Sequence, residues 1–289
     1  MKLSDCLRRP RWLRLSGGRR LLRAGLQGAV AAAALFLILC FLFPFDIDRL
    51  KSYPASSWVS ASDGQWLRAY RSSDDEFRFA QELDEISDWL ELATIAVEDR
   101  NFRSHHGVDF PALVRAAWQN LVRMRVHSGA STLTMQLVRI LDQRPRTIPS
   151  KLIESFYALQ IDARLDKDAI LCAYLNLAPY GGNLRGVEAA ARRYLGKSAA
   201  QLSLGEASLI AGLPQGPSRL RPDRHYARAL GRRRVVLEAM LREAFISQEQ
   251  FEEALRSRPT IRAHPWPFQA PHFSDLALRR AERLSLIHI

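Results

Sequence analysis

Cysteine is scarce: Cys6, Cys40 and Cys172 are the only three in 289 residues, with no CxxC pair and no zinc-ligand spacing. That excludes a disulfide framework and leaves the three as small hydrophobic side chains, Cys40 in an apolar run and Cys172 in a helix expected to be buried. There is no internal repeat, and the only low-complexity stretch is an arginine-rich leader. No nucleic-acid reader motif accompanies the formal net charge of +12. Residues 1–23 hold eight Lys and Arg against Asp5, so +7 of that charge sits in the leader rather than on a nucleic-acid-binding face.

Charge is also missing from Ala24 to Phe45, a run bounded by Arg23 and Asp46. Its length suits a membrane-spanning helix. The basic leader, 1–23, is expected in the cytoplasm, with 24–45 as the anchor and everything after it outside. A cleaved signal peptide is the rival. The long leader, the long apolar run and the lack of an A-x-A site speak against it.

Beyond the anchor the chain is mainly helical in pattern. Trp58 to Phe79 reads as a hairpin turning at Asp63-Gly64. Helical periodicity then covers 84–245. Ser87 is read as the cap of a helix running through Glu98, and Asp109 as the cap of one with Pro111 in its first turn and an apolar stripe of Leu113, Ala117, Trp118 and Leu121. Further helices are predicted from Ser131 or Thr132 to Ile140, from Pro149 to Leu165, and from Asp168 through A-I-L-C-A-Y-L-N. A-P-Y-G-G-N-L-R-G is too glycine-rich to be helical. Gly196 closes the next helix, and Ser203 with Glu206 forms a capping box for another. Two more run to about Arg242 and from Ser247 to Arg256. The domain is drawn as 46–257. From Arg258 the proline-dense R-P-T-I-R-A-H-P-W-P-F-Q-A-P reads as an extended linker over 258–289, with a further domain expected beyond the final L-S-L-I-H-I.

Two glutamates carry the chemical reading. Glu98 follows an apolar run and precedes Asp99. Glu154 lies one helical turn after Lys151. Between them stand a Gly-Ser-Thr turn and the cations Arg139 and Arg146. Paired carboxylates beside fixed cations point to glycosyl transfer with a phosphate leaving group. Blander readings compete: a solvated helix face for Glu98, an ordinary i,i+3 ion pair for Lys151 and Glu154, and surface charges for Arg139 and Arg146. His105 is expected to buttress the Glu98 loop, Gly107 and Gly129 to serve turns, and Tyr174 and Asn176 to be architectural.

These stretches resemble a known family. E-D-R-N-F-R-S-H-H-G fits E-D-x-x-F-x-x-H-x-G, and G-A-S-T-L-T-M-Q is similar to G-G-S-T-x-T-x-Q. Lys151 and Glu154 match K-x-x-E, and A-Y-L-N-L-A-P-Y-G-G matches Y-L-N-x-x-x-x-G. Together, in this order, they are the signature of family 51 glycosyltransferases, the peptidoglycan polymerase domain of class A penicillin-binding proteins. L-P-Q-G-P-S-R-L-R-P-D-R looks most like the 1C branch. The resemblance covers roughly residues 45–245 and implies a lysozyme-like, mainly α domain outside the cytoplasmic membrane, with a small N-terminal hairpin and one transmembrane helix. It implies a donor glycan on undecaprenyl pyrophosphate, lipid II as acceptor, and a setting among cell-wall synthesis proteins.

By the same resemblance Glu98 is the general base and Glu154 the second acid, on the donor side. Asp99 positions the acceptor; Ser131, Thr132 and Gln136 line the cleft; Arg139, Arg146 and Lys151 bind phosphate. Aspartates near a pyrophosphate are compatible with a divalent cation, Mg or Mn, although no metal-ligand spacing appears. Two positions depart from the pattern. Ser150 stands where the family usually has Arg, removing a cation, and Ala130 stands where Gly is common. Neither S-x-x-K nor K-T-G occurs, so no covalent reaction with penicillin is expected of this chain. A lysozyme-like lytic enzyme and a non-catalytic membrane scaffold are the competing functions. The cation cluster and the anchor favour the polymerase.

Overall fold

A computed structural model describes residues 16–50, 52–123, 131–145, 147–262 and 264–284. The chain forms two compact units, 1–46 and 47–289. The first holds α1, Ser16–Leu42, 27 residues long. Among the described residues no helix is long and apolar enough to cross a membrane. The described residues do not take in the whole expected anchor: the side chains of 16–24, 26, 29, 32 and 33 lie outside them, as do leader residues 1–15. The α1 side chains that are described include exposed Val30, Leu35, Leu37, Ile38, Phe41 and Leu42.

The second unit is mainly helical with two small sheets. Its hairpin is shorter than expected: β1 (Trp58–Ser60) pairs with β2 (Trp66–Ala69) around Gly64, whose φ of 82° suits glycine. Trp58 stacks on Trp66 at 5.0 Å. The next strand, β3 (Phe77–Arg78), leaves the hairpin and pairs with β5 (Leu184–Arg185), which also pairs with β4 (Pro179–Gly181). The glycine-rich loop is therefore a short strand pair.

Ten helices come after α1 among the described residues. They are α2 (Asp88–Glu98), α3 (Phe110–Arg123), α4 (Leu133–Asp142), α5 (Ile148–Asp162), α6 (Lys167–Leu177), α7 (Val187–Leu195), α8 (Leu204–Ala211), α9 (Tyr226–Arg242), α10 (Gln248–Arg256) and α11 (Pro271–Arg283). The predicted starts and stops hold to within a few residues. Ser203 and Glu206 make the capping box of α8, and Gly196 ends α7 in the left-handed region. Ser87 precedes α2 but does not cap it, because its hydroxyl donates to the Leu202 carbonyl.

The core gathers around α8, whose residues Ala207 to Ala211 are all buried. A helix apolar on every side belongs inside, and α8 packs against α2 and α9. A second group forms where α4 packs against α5 and α6. Of the α3 stripe, Leu113 and Trp118 are exposed, with Phe110 and Val114 beside them, while the small Ala116 is buried; the side chains of Ala117 and Leu121 lie outside the described residues. Amphipathic spacing defines a face but not what covers it. The proline-rich segment is not a free linker. Trp266 stacks on Phe77 at 4.3 Å, the Gln269 N–H donates to the Leu67 carbonyl, and Tyr70 of the hairpin donates to Asp275 of α11. Aromatic residues among the prolines supply the apolar contact that an extended chain alone lacks.

Candidate active site

The site is built on the turn after α2. Glu98 ends that helix, and its neighbours in the E-D-x-x-F-x-x-H-x-G stretch each fix the turn. Phe102 is fully buried. His105 donates from Nε2 to the Asp99 carboxylate at 2.9 Å, and the Leu133 N–H at the start of α4 donates to the same carboxylate, also at 2.9 Å. Gly107 has φ 78°, and a Cβ there would lie 2.3 Å from the Ala158 carbonyl oxygen. Only glycine lets α5 approach so closely. The Gly107 carbonyl accepts from Thr132 Oγ1 at 2.6 Å, and the same hydroxyl accepts from the Met135 N–H as the cap of α4. Asp99, His105, Gly107 and Thr132 thus lock the turn to α4 and α5.

Glu98 is 11% exposed and has a neighbour on each oxygen. Gln136 of α4 donates from Nε2 to Oε2 at 2.9 Å. The Arg232 guanidinium of α9 faces Oε1 at 3.6 Å. Gln136 is itself contacted by the buried Tyr174, whose hydroxyl lies 3.5 Å from its amide oxygen. Burial, and then the Glu98 charge, push the Tyr174 and Tyr180 hydroxyls well above the usual phenol range. Burial pulls the Arg232 guanidinium down, while the Glu98 charge opposes the fall.

Arg139, one turn after Gln136 on α4, serves the other carboxylate. Its Nη1 lies 3.9 Å from Oε2 of Glu154, which is 1% exposed on α5. Lys151, weighed above as a phosphate-binding cation or as an ordinary ion-pair partner of Glu154, is exposed. Ser150, where the family has Arg, turns inward, its hydroxyl 2.9 Å from that of Thr147 at the start of α5. Arg146, Gly129 and Ala130 lie outside the described residues.

A cleft of about 350 Å³ opens beside Glu98, lined among others by Asp99, Arg100, Arg115, Ser131, Thr132 and Arg242. That volume falls within the range of small-molecule sites. The cleft brings together Glu98, Asp99, Ser131 and Thr132 of the expected set. Gln136 reaches it through Glu98; Arg139, Glu154 and Lys151 are not among its lining residues. Its aspartates are already engaged, Asp99 as above and Asp109 by the Asn101 amide and the Ala112 N–H. Among the described residues no group of three or more His, Cys, Asp or Glu is arranged to hold a metal, and the donors present do not fit a divalent ion. Arg232, Arg100 and Arg242 were not assigned to the site from the sequence. The signal was there only as an arginine-rich helix, which reads equally well as surface. Tyr174 and Asn176 of the Y-L-N stretch make contacts within the fold, Tyr174 to Gln136 as above. Asn176 accepts from the Gln81 N–H at 3.0 Å and donates to its carbonyl at 2.8 Å.

The transglycosylase family model matches residues 63–241, more than half of the chain. Penicillin-binding protein 1C of Escherichia coli (strain K12) is 41% identical over 256 residues, covering 87% of this chain and 33% of that protein. Penicillin-binding protein 1A of Aquifex aeolicus (strain VF5) is 40% identical over 247 residues, covering 82% of this chain and 33% of that protein. A crystal structure of penicillin-binding protein 1A from Haemophilus influenzae is matched more loosely, at TM-score 0.41 and 22% identity, over 80% of this chain and 25% of that one. The chain thus spans 33% of the length of these two curated relatives.

Proposed function

The chain belongs to the transglycosylase family, and on that premise we propose that it is a peptidoglycan glycosyltransferase. It polymerises lipid II into β-1,4 glycan strands and releases undecaprenyl pyrophosphate with inversion, on a lysozyme-like helical domain. The observation that carries the reading is Glu98: a carboxylate held from behind by Gln136 and Arg232 at the wall of an open cleft. Such a group is suited to take the proton of an acceptor hydroxyl. The freed oxygen pair forms the new bond to the donor's anomeric carbon, and the bond to pyrophosphate breaks with its electrons leaving on the phosphate. No strong acid is needed there, since pyrophosphate is a stable anion. Cations are, and Arg139, Arg146 and Lys151 are assigned that work, with Glu154 setting the position of Arg139. Ser131 lines the acceptor side of the cleft. Asp99 and Thr132 support this reading as holders of the turn rather than as direct substrate ligands.

The same proposal places Ala24–Phe45 in the membrane, with the leader inside and the domain outside the cytoplasm. Arg49, three residues after Asp46, pairs with Asp142 at 2.8 Å and donates to the Leu141 carbonyl at the end of α4, which ties the start of the domain to that helix. Labelled lipid II tests the activity: a polymer ladder supports the proposal, cleavage of preformed glycan alone supports a lytic enzyme, and no change in either substrate supports a scaffold. Protease added outside spheroplasts tests the topology, which requires the domain to be digested.

A further inference from the structure

Arg232 belongs to none of the sequence motifs above, yet it is the half-buried cation facing Glu98. Its side chain is 13% exposed and it is not among the residues lining the cleft, so it is poorly placed to touch substrate. We propose that Arg232 is the positioning residue of the reaction: fixed behind Glu98, it aims the carboxylate into the cleft and balances its charge. This rests on Glu98 being the base.

Three features support it. First, Glu98 is gripped from two helices, by the Gln136 amide of α4 on Oε2 and the Arg232 guanidinium of α9 on Oε1. Two contacts on a planar group set its orientation as one does not. Second, the fold makes room for the guanidinium. Gly212 closes α8, and a Cβ there would lie 2.8 Å from Arg232 Cγ. Third, the pair is a poor device for stability. At 3.6 Å it is longer than a hydrogen bond, and both Glu98 Oε1 and Arg232 Nε have no hydrogen-bond partner among the described residues. A buried ion pair of that kind returns little over an apolar replacement. Its value lies in the charge itself. When Glu98 takes the acceptor proton, the carboxylate loses the charge that faces Arg232, and the guanidinium then favours return of that proton to solvent before the next transfer.

The test is lipid II polymerisation by the full chain carrying Arg232→Met or Arg232→Lys, crossed with Glu98→Gln. Arg232→Met is expected to lower kcat by about one to two orders of magnitude, up to the lower end of the range for losing a general base outright, with KM changed less than about threefold. Arg232→Lys restores most of the loss. In the Glu98→Gln background Arg232→Met adds nothing, because the group it acts through is gone. A loss confined to KM, equal losses in the Lys and Met variants, or additive losses in the double variant would overturn the positioning role. Full activity of Glu98→Gln would overturn the base assignment instead, so the two failures are distinguishable. If Arg232→Met does not fold, Gly212→Ala crowds the same side chain without removing its charge, and a kcat loss there, absent in the Glu98→Gln background, reads the same coupling.

Discussion

One turn of α4 separates two side chains that meet their carboxylates in opposite ways. Gln136 makes a 2.9 Å hydrogen bond to Glu98, which has a half-buried guanidinium facing its other oxygen. Arg139 stands 3.9 Å from the buried Glu154 and is itself 21% exposed, with Lys151 open to solvent on the neighbouring helix. The first contact is a hydrogen bond to a carboxylate at the cleft wall; the second is a longer pair between a partly exposed cation and a carboxylate that lies deeper. A base has to be aimed before the substrate arrives, since a small misplacement is costly in rate. A phosphate-binding cation has to remain free to meet an anion that brings its own charge, so a loose partner suits it better. The contrast predicts that changes on the Glu98 side act on turnover and changes on the Arg139 side act on donor binding.

The sharpest way to break the contrast is Glu98→Gln. The amide keeps the shape and cannot accept the proton, so polymerisation should fall on the order of 10²- to 10⁴-fold while the circular dichroism spectrum is unchanged. Most of the activity surviving would remove Glu98 from the base role. Next in size, Arg139→Ala and Arg146→Ala each delete a charge-assisted contact worth roughly 1.5–3 kcal/mol. They should raise KM for the pyrophosphate-linked donor about ten- to a hundredfold and spare the acceptor. Equal effects on donor and acceptor would erase the distinction drawn between the two sides.

Asp99→Asn probes the turn that carries Glu98 rather than the chemistry. It removes the charge that His105 and the Leu133 N–H share, at a cost of roughly 1–3 kcal/mol, read as a lower Tm. His105→Ala should lower it similarly, and the double variant should be less than additive. An unchanged Tm in both would mean that the turn is held by Phe102 and Gly107 alone.

The smallest effect is expected at Asp109. Burial works against its charge, but hydrogen bonds from Ala112 and Asn101, with the charges of His105 and Arg115, outweigh it and hold the carboxyl below its ordinary range. Its stabilisation is therefore complete above the unfolded value, about 3.9, and is lost as pH falls through the lower folded value. Asp109→Ala should cost about 1 kcal/mol at neutral pH, and the gap to the parent chain should close in strong acid. A gap that widens on acidification would contradict the sign.

Much of this was legible in the residues. The helix starts at Asp109, Thr132 and Ser203 follow from side-chain oxygens that satisfy free N–H groups, a local matter. Gly107 and Gly196 were readable because positive φ selects glycine. Ser87 shows where such reasoning fails: its oxygen is suited to capping, but a carbonyl 115 positions away takes its proton. The proline-rich segment failed for a similar reason, since Trp266 and Phe268 find their partners some two hundred residues back, at Phe77 and Arg68.

The sequence by itself determined the order of the helices from α2 to α10, the presence of two glutamates with cations between them, and the family those motifs mark; α11 lies in the segment read as a linker. Tertiary structure alone decided which cation serves which carboxylate. The run Arg232, Arg233, Arg234 makes the point. In sequence the three are interchangeable. On a helix they point about 100° apart, and only the helices packed around α9 give each its role. Arg232 faces Glu98, Arg233 is buried against Ser257, and Arg234 pairs with Glu238 at the surface. Local propensity sets where a helix begins and ends; the direction in which a side chain finds its partner depends on what lies against the helix.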